Sequence, residues 1–493
     1  MQISELALHC HDHKRDDDYG DETTHAFYVP ALLLGIGATL AARINVTLDH
    51  TGVNAAEVAR GGYQIDQLVR DLYNIGLEDR AAIDEELKPH PGSYPDDTSL
   101  LDEARFRQAY LTKEEVADED EEEGDTGEAH VEEPAQKGKR KRARYRDWED
   151  LAHLFRVHPA AIARRRAELG LVRPEEAATE VESLLSYCLG VAFGRWDARI
   201  GRDPSLGASL GGAFDQLPVC APGMLTEDAA LVGKDGPLPY RPERLPAAPE
   251  HVPADYPLPV QWSGILVDDE GHPDDLVARV RGVLAYLFGP EHASAIEDEV
   301  VALLQEGGVK VKGLRDYYAT RFFGTHIKRY SKSRRKAPIY WQLASRRKSY
   351  SLWLYYHRLH PGTLYQAIQE YVEPKIELEQ TRLRELEAQQ RAATDSHAAR
   401  TLAGQVDKKA SLVEELIQFG NDLKEAADRG FAPDLNDGVI LNIAPLHKLV
   451  PWPDAATAWK ELTAGKYSWS TIGQRLAGRT SSAPRGSEGS SHA

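Results

Sequence analysis

Two stretches of this chain cannot take part in regular packing, and they decide how the rest is divided. Between Gly236 and Pro259 stand eight prolines: Pro237, Pro239, Pro242, Pro246, Pro249, Pro253, Pro257 and Pro259. Each removes a backbone donor and fixes φ, so the stretch reads as an extended connection or as chain laid over another surface. From Ala117 to Gln136 the sequence is rich in Glu, Asp and Gly, with an unbroken acidic run from Asp118 to Glu123, and Lys137 to Arg146 is its basic mirror image. So little of this can be buried that a disordered, self-attracting linker is expected. The tail from Thr480 onward is Ser/Gly-rich and is expected to be disordered as well. The chain of 493 residues then divides into an N-terminal helical part (1–112), the acidic-then-basic linker (113–146), a helix-turn-helix-like unit with a further helix (147–235), the proline-rich connection (236–260), a basic α+β segment (261–372), a C-terminal helical region (373–479) and the tail (480–493).

Periodicity makes most of these segments helical. Phe27 to Leu87 reads as helix, with Ile65, Leu68, Val69 and Leu72 on one face, and Leu100 to Leu111, Glu180 to Phe193 and Leu276 to Leu304 read the same way. In Trp148 to Leu171 the apolar residues Trp148, Leu151, Ala152 and Phe155 mark one short helix. Arg156, Val157 and His158 make a turn, and Pro159 opens a second helix whose Ile162 and Leu169 face back. Gly170 can end it. Ile339 to Leu343 and Ser351 to His357 are strand-like, separated by a basic turn, and are expected to pair as a hairpin. Glu373 to Arg429 carries Ile376, Leu383 and Leu386, then Leu412, Leu416, Phe419 and Leu423, at near-heptad spacing, for which an antiparallel helical pair is the simplest packing. The fold class expected is α+β, mostly helical and multidomain, with a small β hairpin or sheet.

A formal net charge of −19 argues against a polyanionic partner only if the charge is spread evenly, and much of the excess lies in the acidic linker. Elsewhere the chain is locally basic. Arg164, Arg165 and Arg166 lie on the second helix of the helix-turn-helix-like unit, where such side chains can reach phosphates and guanine edges in a major groove. Lys139, Arg140, Lys141 and Arg142 precede that unit as a basic arm, which either adds phosphate contacts or pairs with the acidic run. Lys332, Arg334, Arg335, Lys336, Arg346, Arg347 and Lys348 lie between Lys328 and Lys348 with Tyr330, Tyr340 and Trp341 among them, a composition suited to holding phosphates and stacking on bases. The simpler alternatives are a solvated helical hairpin for the first group and a protein-docking surface for the last. Double-stranded DNA is the partner these segments favour.

Other groups carry less. His9, Cys10, His11, Asp12 and His13 are metal-capable, but neighbours in sequence rarely converge on one ion without a partner cluster, and none is visible downstream, so a flexible or merely polar start is expected. Gly35 and Gly37 lack the strand, third glycine and ribose-binding acid of a dinucleotide fingerprint. Glu373, Pro374 and Lys375 only superficially resemble part of a nuclease signature, and the His357–Arg358 pair reads as structural. Cys10, Cys188 and Cys220 are too scattered for a disulfide framework or a zinc ribbon, which fits a reducing cytoplasm. The start of the chain lacks the basic and apolar pattern of a signal peptide, and Val29 to Leu40 is too short to span a bilayer, so no membrane association is expected.

Several short segments, in order along the chain, resemble one family: Asp21-Glu22-Thr23-Thr24-His25-Ala26-Phe27 with Pro30-Ala31-Leu32, Asp71-Leu72-Tyr73-Asn74-Ile75, Ser186-Tyr187 with Phe193-Gly194-Arg195-Trp196, Pro338-Ile339-Tyr340-Trp341, Tyr356-His357-Arg358, and Asp434-Leu435-Asn436-Asp437-Gly438-Val439. These are similar to the large adenine-specific DNA methyltransferases of phage defence, the BREX (PglX-like) and DISARM enzymes, and to type II restriction-modification relatives. The resemblance extends over most of the chain and covers only the C-terminal part of such an enzyme. It implies methylation of a flipped adenine with S-adenosylmethionine, chemistry that requires a glycine-rich cofactor loop and an Asn-Pro-Pro-Tyr type tetrapeptide. This sequence has no Asn-Pro dipeptide, and its one Asp-Pro, Asp203-Pro204, continues into Ser205. No catalytic residue or cofactor site is therefore carried over. What the resemblance implies is a target-recognition and helical part, with S-adenosylmethionine on a catalytic partner chain and other phage-defence proteins as further partners. A complete enzyme with unread motifs and a scaffold that never touches DNA are the competing readings.

Overall fold

The computed structural model describes residues 2–117, 141–204, 221, 223–225, 252, 254, 256–332 and 335–481. The proline-rich connection falls largely outside these, and the run Asp118 to Glu123, with Lys139, Arg140 and Arg334, falls wholly outside them.

The fold is mostly helical with small antiparallel sheets. Its centre is the helix Pro174–Ala192, twelve of whose residues are buried, including Tyr187, Cys188 and Leu189. Its C-terminal part, from Leu184 to Ala192, is buried on every side, and Leu276–Phe288 and Ala293–Glu306 pack on the helix. These two occupy the Leu276 to Leu304 stretch that periodicity reads as one helix. Gly289 adopts φ 94°, and with Pro290 after it the chain turns back.

Beside the central helix lies a three-stranded antiparallel sheet. Tyr340–Ala344 and Ser351–Tyr355 form the expected hairpin, with Trp341 opposite Leu354. Ile265–Val267, separated by more than seventy residues, joins the other edge of Ser351–Tyr355. Every residue of the three strands is buried, so both faces of the sheet are covered.

The helices Glu373–Ala392 and Ser396–Asp428 form the antiparallel pair, joined at Ala393 to Asp395 with Asp395 as N-cap. Lys409 reaches back to Glu379, and Gly420 lies beside Val372 and Ile376. One hydrophobic core runs through all of this, from Phe27 to Ala455, and draws on the segments 1–112, 147–235, 261–372 and 373–479 together. Smaller clusters lie apart from it among the described residues, one in the helix-turn-helix-like unit, one around Leu441, Ala458 and Leu462, and one around Leu225.

The linker is not wholly irregular. Glu114–Ala117 pairs antiparallel with Lys141–Arg144, so Ala117 stands opposite Lys141, and Arg146 forms an ion pair with Glu114 at 2.7 Å. One pair of unlike charges, Glu114 and Arg144, stands directly opposite in this ladder, an arrangement that favours the pairing. Among the described residues no helix is long and apolar enough to cross a membrane.

Candidate nucleic-acid interface

In the helix-turn-helix-like unit the local chemistry behaves as the sequence predicts. Trp148–Phe155 starts with a capping box between Asp147 and Asp150 and ends where Arg156 takes a left-handed φ of 55°. His158 caps the second helix, Pro159–Glu168, by accepting from the Ala160 amide at 3.1 Å, and Gly170 turns the chain out at φ 58°. Leu151, Val157, Ala161, Ile162 and Leu171 form a small core. Its third wall is the helix Glu103–Leu111, through Phe106 and Tyr110, which lies across the linker in sequence.

The arginines of the second helix are not a free row. The long helix Leu40–Leu72 covers one side of it, with Gly52 seated against Ala163 and Trp148. Arg166 points into that contact and is 1 % exposed; it pairs with Asp49 and donates to the Leu171 carbonyl at 3.0 Å and to Asn45. As a DNA contact it is a correction: its place on the helix turns it toward the protein. Arg164 stays exposed but donates twice to Asp96, at 2.6 and 3.2 Å, and Arg165 pairs with Glu168 at 3.1 Å. The Arg164–Asp96 pair is exposed on both sides, and such a pair contributes little and can exchange for a phosphate, whereas Arg165 is half-buried.

The second group divides similarly. Ser331–Lys332 pairs with Arg335–Lys336 as a two-residue ladder, and Lys336 is held by Asp454 at 2.5 Å. Tyr340 and Trp341, expected among the bases, are fully buried. Their strand has no solvent face, and Trp341 donates its indole N–H to the Pro338 carbonyl at 2.8 Å. Tyr330 is half-buried and its hydroxyl accepts from Arg195 at 2.6 Å. Stacking on nucleobases by Tyr340 or Trp341 is therefore excluded by burial.

The hairpin turn is different. Arg346, Arg347 and Lys348 are all exposed at its tip, Lys348 in the left-handed region at φ 59°. Beneath them Glu415, 8 % exposed, accepts from Ser345 Oγ and the Arg347 amide, both at 2.6 Å, and from Ser349 Oγ at 2.8 Å. Burial works against the ionised form, but these donors hold the Glu415 carboxyl below its ordinary range. A sealed carboxylate thus fixes the backbone of the turn, and Arg347 reaches Ser411 on the same helix. The three cations rim a cleft of about 630 Å³ that also carries Lys448, Glu414 and Asp422. The signal for Glu415 is present in the sequence only as a polar residue within the stripe of Leu412, Leu416 and Phe419.

Some of the segments that carry the family resemblance meet in the interior, while Asp71-Leu72-Tyr73-Asn74-Ile75 lies on the surface, with Leu72 and Tyr73 exposed. Phe193 stacks on both Tyr340 and Tyr355, with centroids 5.6 Å away in each case. Glu22, 4 % exposed, accepts from Ser186 and, at 3.2 Å, from Arg329, while Arg195 lies over Trp196 at 4.1 Å. Asn442 donates to the Tyr356 hydroxyl at 3.1 Å. These residues make polar and aromatic contacts inside the fold.

The chain is similar to adenine-specific methyltransferases. It is 30 % identical to the adenine-specific methyltransferase BrxX of Escherichia coli O9:H4 (strain HS) over 195 residues, which are 38 % of this chain and 16 % of that protein. It is 26 % identical to the adenine-specific methyltransferase PglX of Lacticaseibacillus casei (strain Zhang) over 185 residues, 36 % of this chain and 15 % of that protein. The matched part thus spans about one sixth of the length of these relatives. No protein-family profile matches the chain.

Proposed function

We propose that this chain is the DNA-recognition portion, or a separate recognition subunit, of an adenine-N6 DNA methyltransferase of a phage-defence system. Methyl transfer and S-adenosylmethionine belong to a partner catalytic chain in this reading. The similarity to BrxX and PglX carries it, because both relatives are named adenine-specific methyltransferases and the match takes in only a small part of each. The exposed turn of Arg346, Arg347 and Lys348 supports it as the point of phosphate contact, since these cations are presented on a backbone that Glu415 holds in place. Arg164 and Arg165 come second, because each must first give up a carboxylate.

Duplex binding measured by fluorescence anisotropy over a salt series tests the reading. Replacing Arg346, Arg347 and Lys348 with Ala together is expected to weaken binding to every sequence and to flatten the salt dependence by up to about 2.7 units of slope, about 0.9 for each phosphate that is no longer neutralised. An unchanged slope would remove the turn from the DNA surface and make it a protein-docking element of the defence complex.

A further inference from the structure

The helix Gln2–Asp18 lies along Leu40–Leu72 although none of its own residues is buried. Its attachment is polar. Cys10 Sγ donates to the Val58 carbonyl at 3.8 Å, and Gly61 leaves room for that sulfur, which a Cβ there would strike. Asn54, 2 % exposed, donates to Asp17 Oδ1 at 2.8 Å, and its Oδ1 is 2.9 Å from His13 Nδ1. A helix that buries so little apolar surface has a weak hydrophobic reason to stay docked.

His9 and His13 are one helical turn apart and project to the same side, with ring centroids 4.6 Å apart and planes at 87°. Facing them from the long helix is Glu57. One donor atom from each of the three lies within 4.8 Å of the others, and His9 Nε2 is 3.5 Å from Glu57 Oε2. His11, between the two histidines in sequence, falls outside the cluster because a helix turns it away. The adjacency of histidines that reads as a polar start thus places two metal-capable side chains on one face, with a third, Glu57, 44 residues beyond His13 on another helix.

We propose that His9, His13 and Glu57 bind one zinc ion, with water in the fourth position, and that this ion staples Gln2–Asp18 to Leu40–Leu72. Two imidazoles and a carboxylate are a ligand set suited to zinc and unsuited to magnesium or calcium, which take oxygen donors. Zinc bonds of about 2.0–2.2 Å at tetrahedral angles place ligand atoms about 3.3–3.6 Å apart. The His9–Glu57 separation already has that value, and side-chain rotation closes the rest. The surroundings orient the ligands in the way that metal sites require. Asp17 draws the amide N–H of Asn54, so Asn54 offers its oxygen to His13, which keeps the proton on Nδ1 and leaves the lone pair on Nε2. Arg60 takes the other oxygen of Glu57.

The test uses the full chain, dialysed against buffered zinc, with bound metal measured by mass spectrometry. The wild-type chain and His11→Gln should retain one zinc each, while His9→Gln and His13→Gln should lose that equivalent. His9 is half exposed, so His9→Gln is expected to keep the helical circular dichroism of the parent. Cobalt in place of zinc should give the intense visible absorption of a tetrahedral centre. Hydrogen exchange supplies the second arm: zinc should slow the amides of Gln2–Asp18 in the wild type and leave them unchanged in His9→Gln. No stoichiometric zinc, zinc retained equally by His9→Gln, or bound zinc without added protection of that helix would each overturn the proposal.

Discussion

The contact between Arg166 and Asp49 makes an unequal prediction from one ion pair. Arg166 is 1 % exposed and Asp49 is 47 % exposed, so the two charges are removed from water to very different extents. Replacing Asp49 with Ala leaves a sealed guanidinium with only neutral acceptors, the Leu171 carbonyl at 3.0 Å and Asn45 at 3.3 Å. An uncompensated buried charge costs about 3–5 kcal/mol. Replacing Arg166 with Met keeps most of the apolar volume and lets Asp49 return to water. The remaining loss is that of a donor to one or two carbonyls, about 1–3 kcal/mol. The double variant should therefore resemble Arg166→Met, recovering about 2 kcal/mol of the damage done by Asp49→Ala. The place to read this is the second helix of the helix-turn-helix-like unit. Hydrogen exchange of the Pro159–Glu168 amides reports local opening without requiring that the whole chain unfold in one step. A difference of about 2 kcal/mol is about a thirty-fold difference in protection, with Asp49→Ala the less protected. If Arg166→Met opened the helix as much as Asp49→Ala, the burial argument would fail and Arg166 would have to be reconsidered as a surface group.

Two further expectations follow from buried titratable groups. His326 Nε2 accepts from the Ile339 and Tyr340 amides at 3.0 and 3.1 Å, so His326→Leu should cost about 1–3 kcal/mol for each stranded amide. Burial, with Arg195 and Arg329 nearby, holds the His326 imidazole well below its ordinary range. Its contribution is thus present above about pH 6.5 and lost as the pH falls. Melting curves should show the gap between His326→Leu and the parent narrowing toward acid; a gap independent of pH would refute the neutral acceptor role. For Glu180, burial pushes the carboxyl up to about 7, Arg329 pulling the other way and Glu176 adding to the rise. Its contribution is complete below the ordinary glutamate range and lost as the pH rises through 7, so Glu180→Gln should melt above the parent in mild alkali and level with it in acid. A variant that melts lower at alkaline pH would mean that the ionised form is stabilised by the fold.

What can be read in the sequence are features written within a few residues of one another. The turn at Arg156 to His158, the proline at the start of the second helix, the exit at Gly170 and the hairpin of Tyr340–Ala344 with Ser351–Tyr355 all follow from local patterns, whereas the left-handed φ of Arg156 does not. So does the antiparallel pair of helices after Glu373. Features that depend on distant partners are not legible. Ile265–Val267 is too short to show alternation and becomes a strand only because Ser351–Tyr355 offers it an edge. Glu103–Leu111 belongs to the helix-turn-helix-like core although the linker separates them. Tyr340 and Trp341 escape a sequence reading because strand alternation presumes one wet face, and this sheet has none. Arg166 escapes it because a row of three arginines on a helix cannot point one way, and what lies on each side is decided by Leu40–Leu72. Two π turns, Tyr318–Phe322 and Ile368–Val372, likewise have no signature in the apolar spacing.

The continuity of the core has a consequence in time. Phe27 and Ala455 belong to the same cluster, so the core cannot close before Ala455 has been made. At about 5–20 residues per second, the interval between synthesis of those two positions is roughly 20–90 s. Throughout most of it the central helix Pro174–Ala192 has emerged without all the partners that bury twelve of its residues. Nascent chains should therefore be captured by ribosome-associated chaperones over this helix, and slowing elongation should lower the yield of native protein instead of raising it.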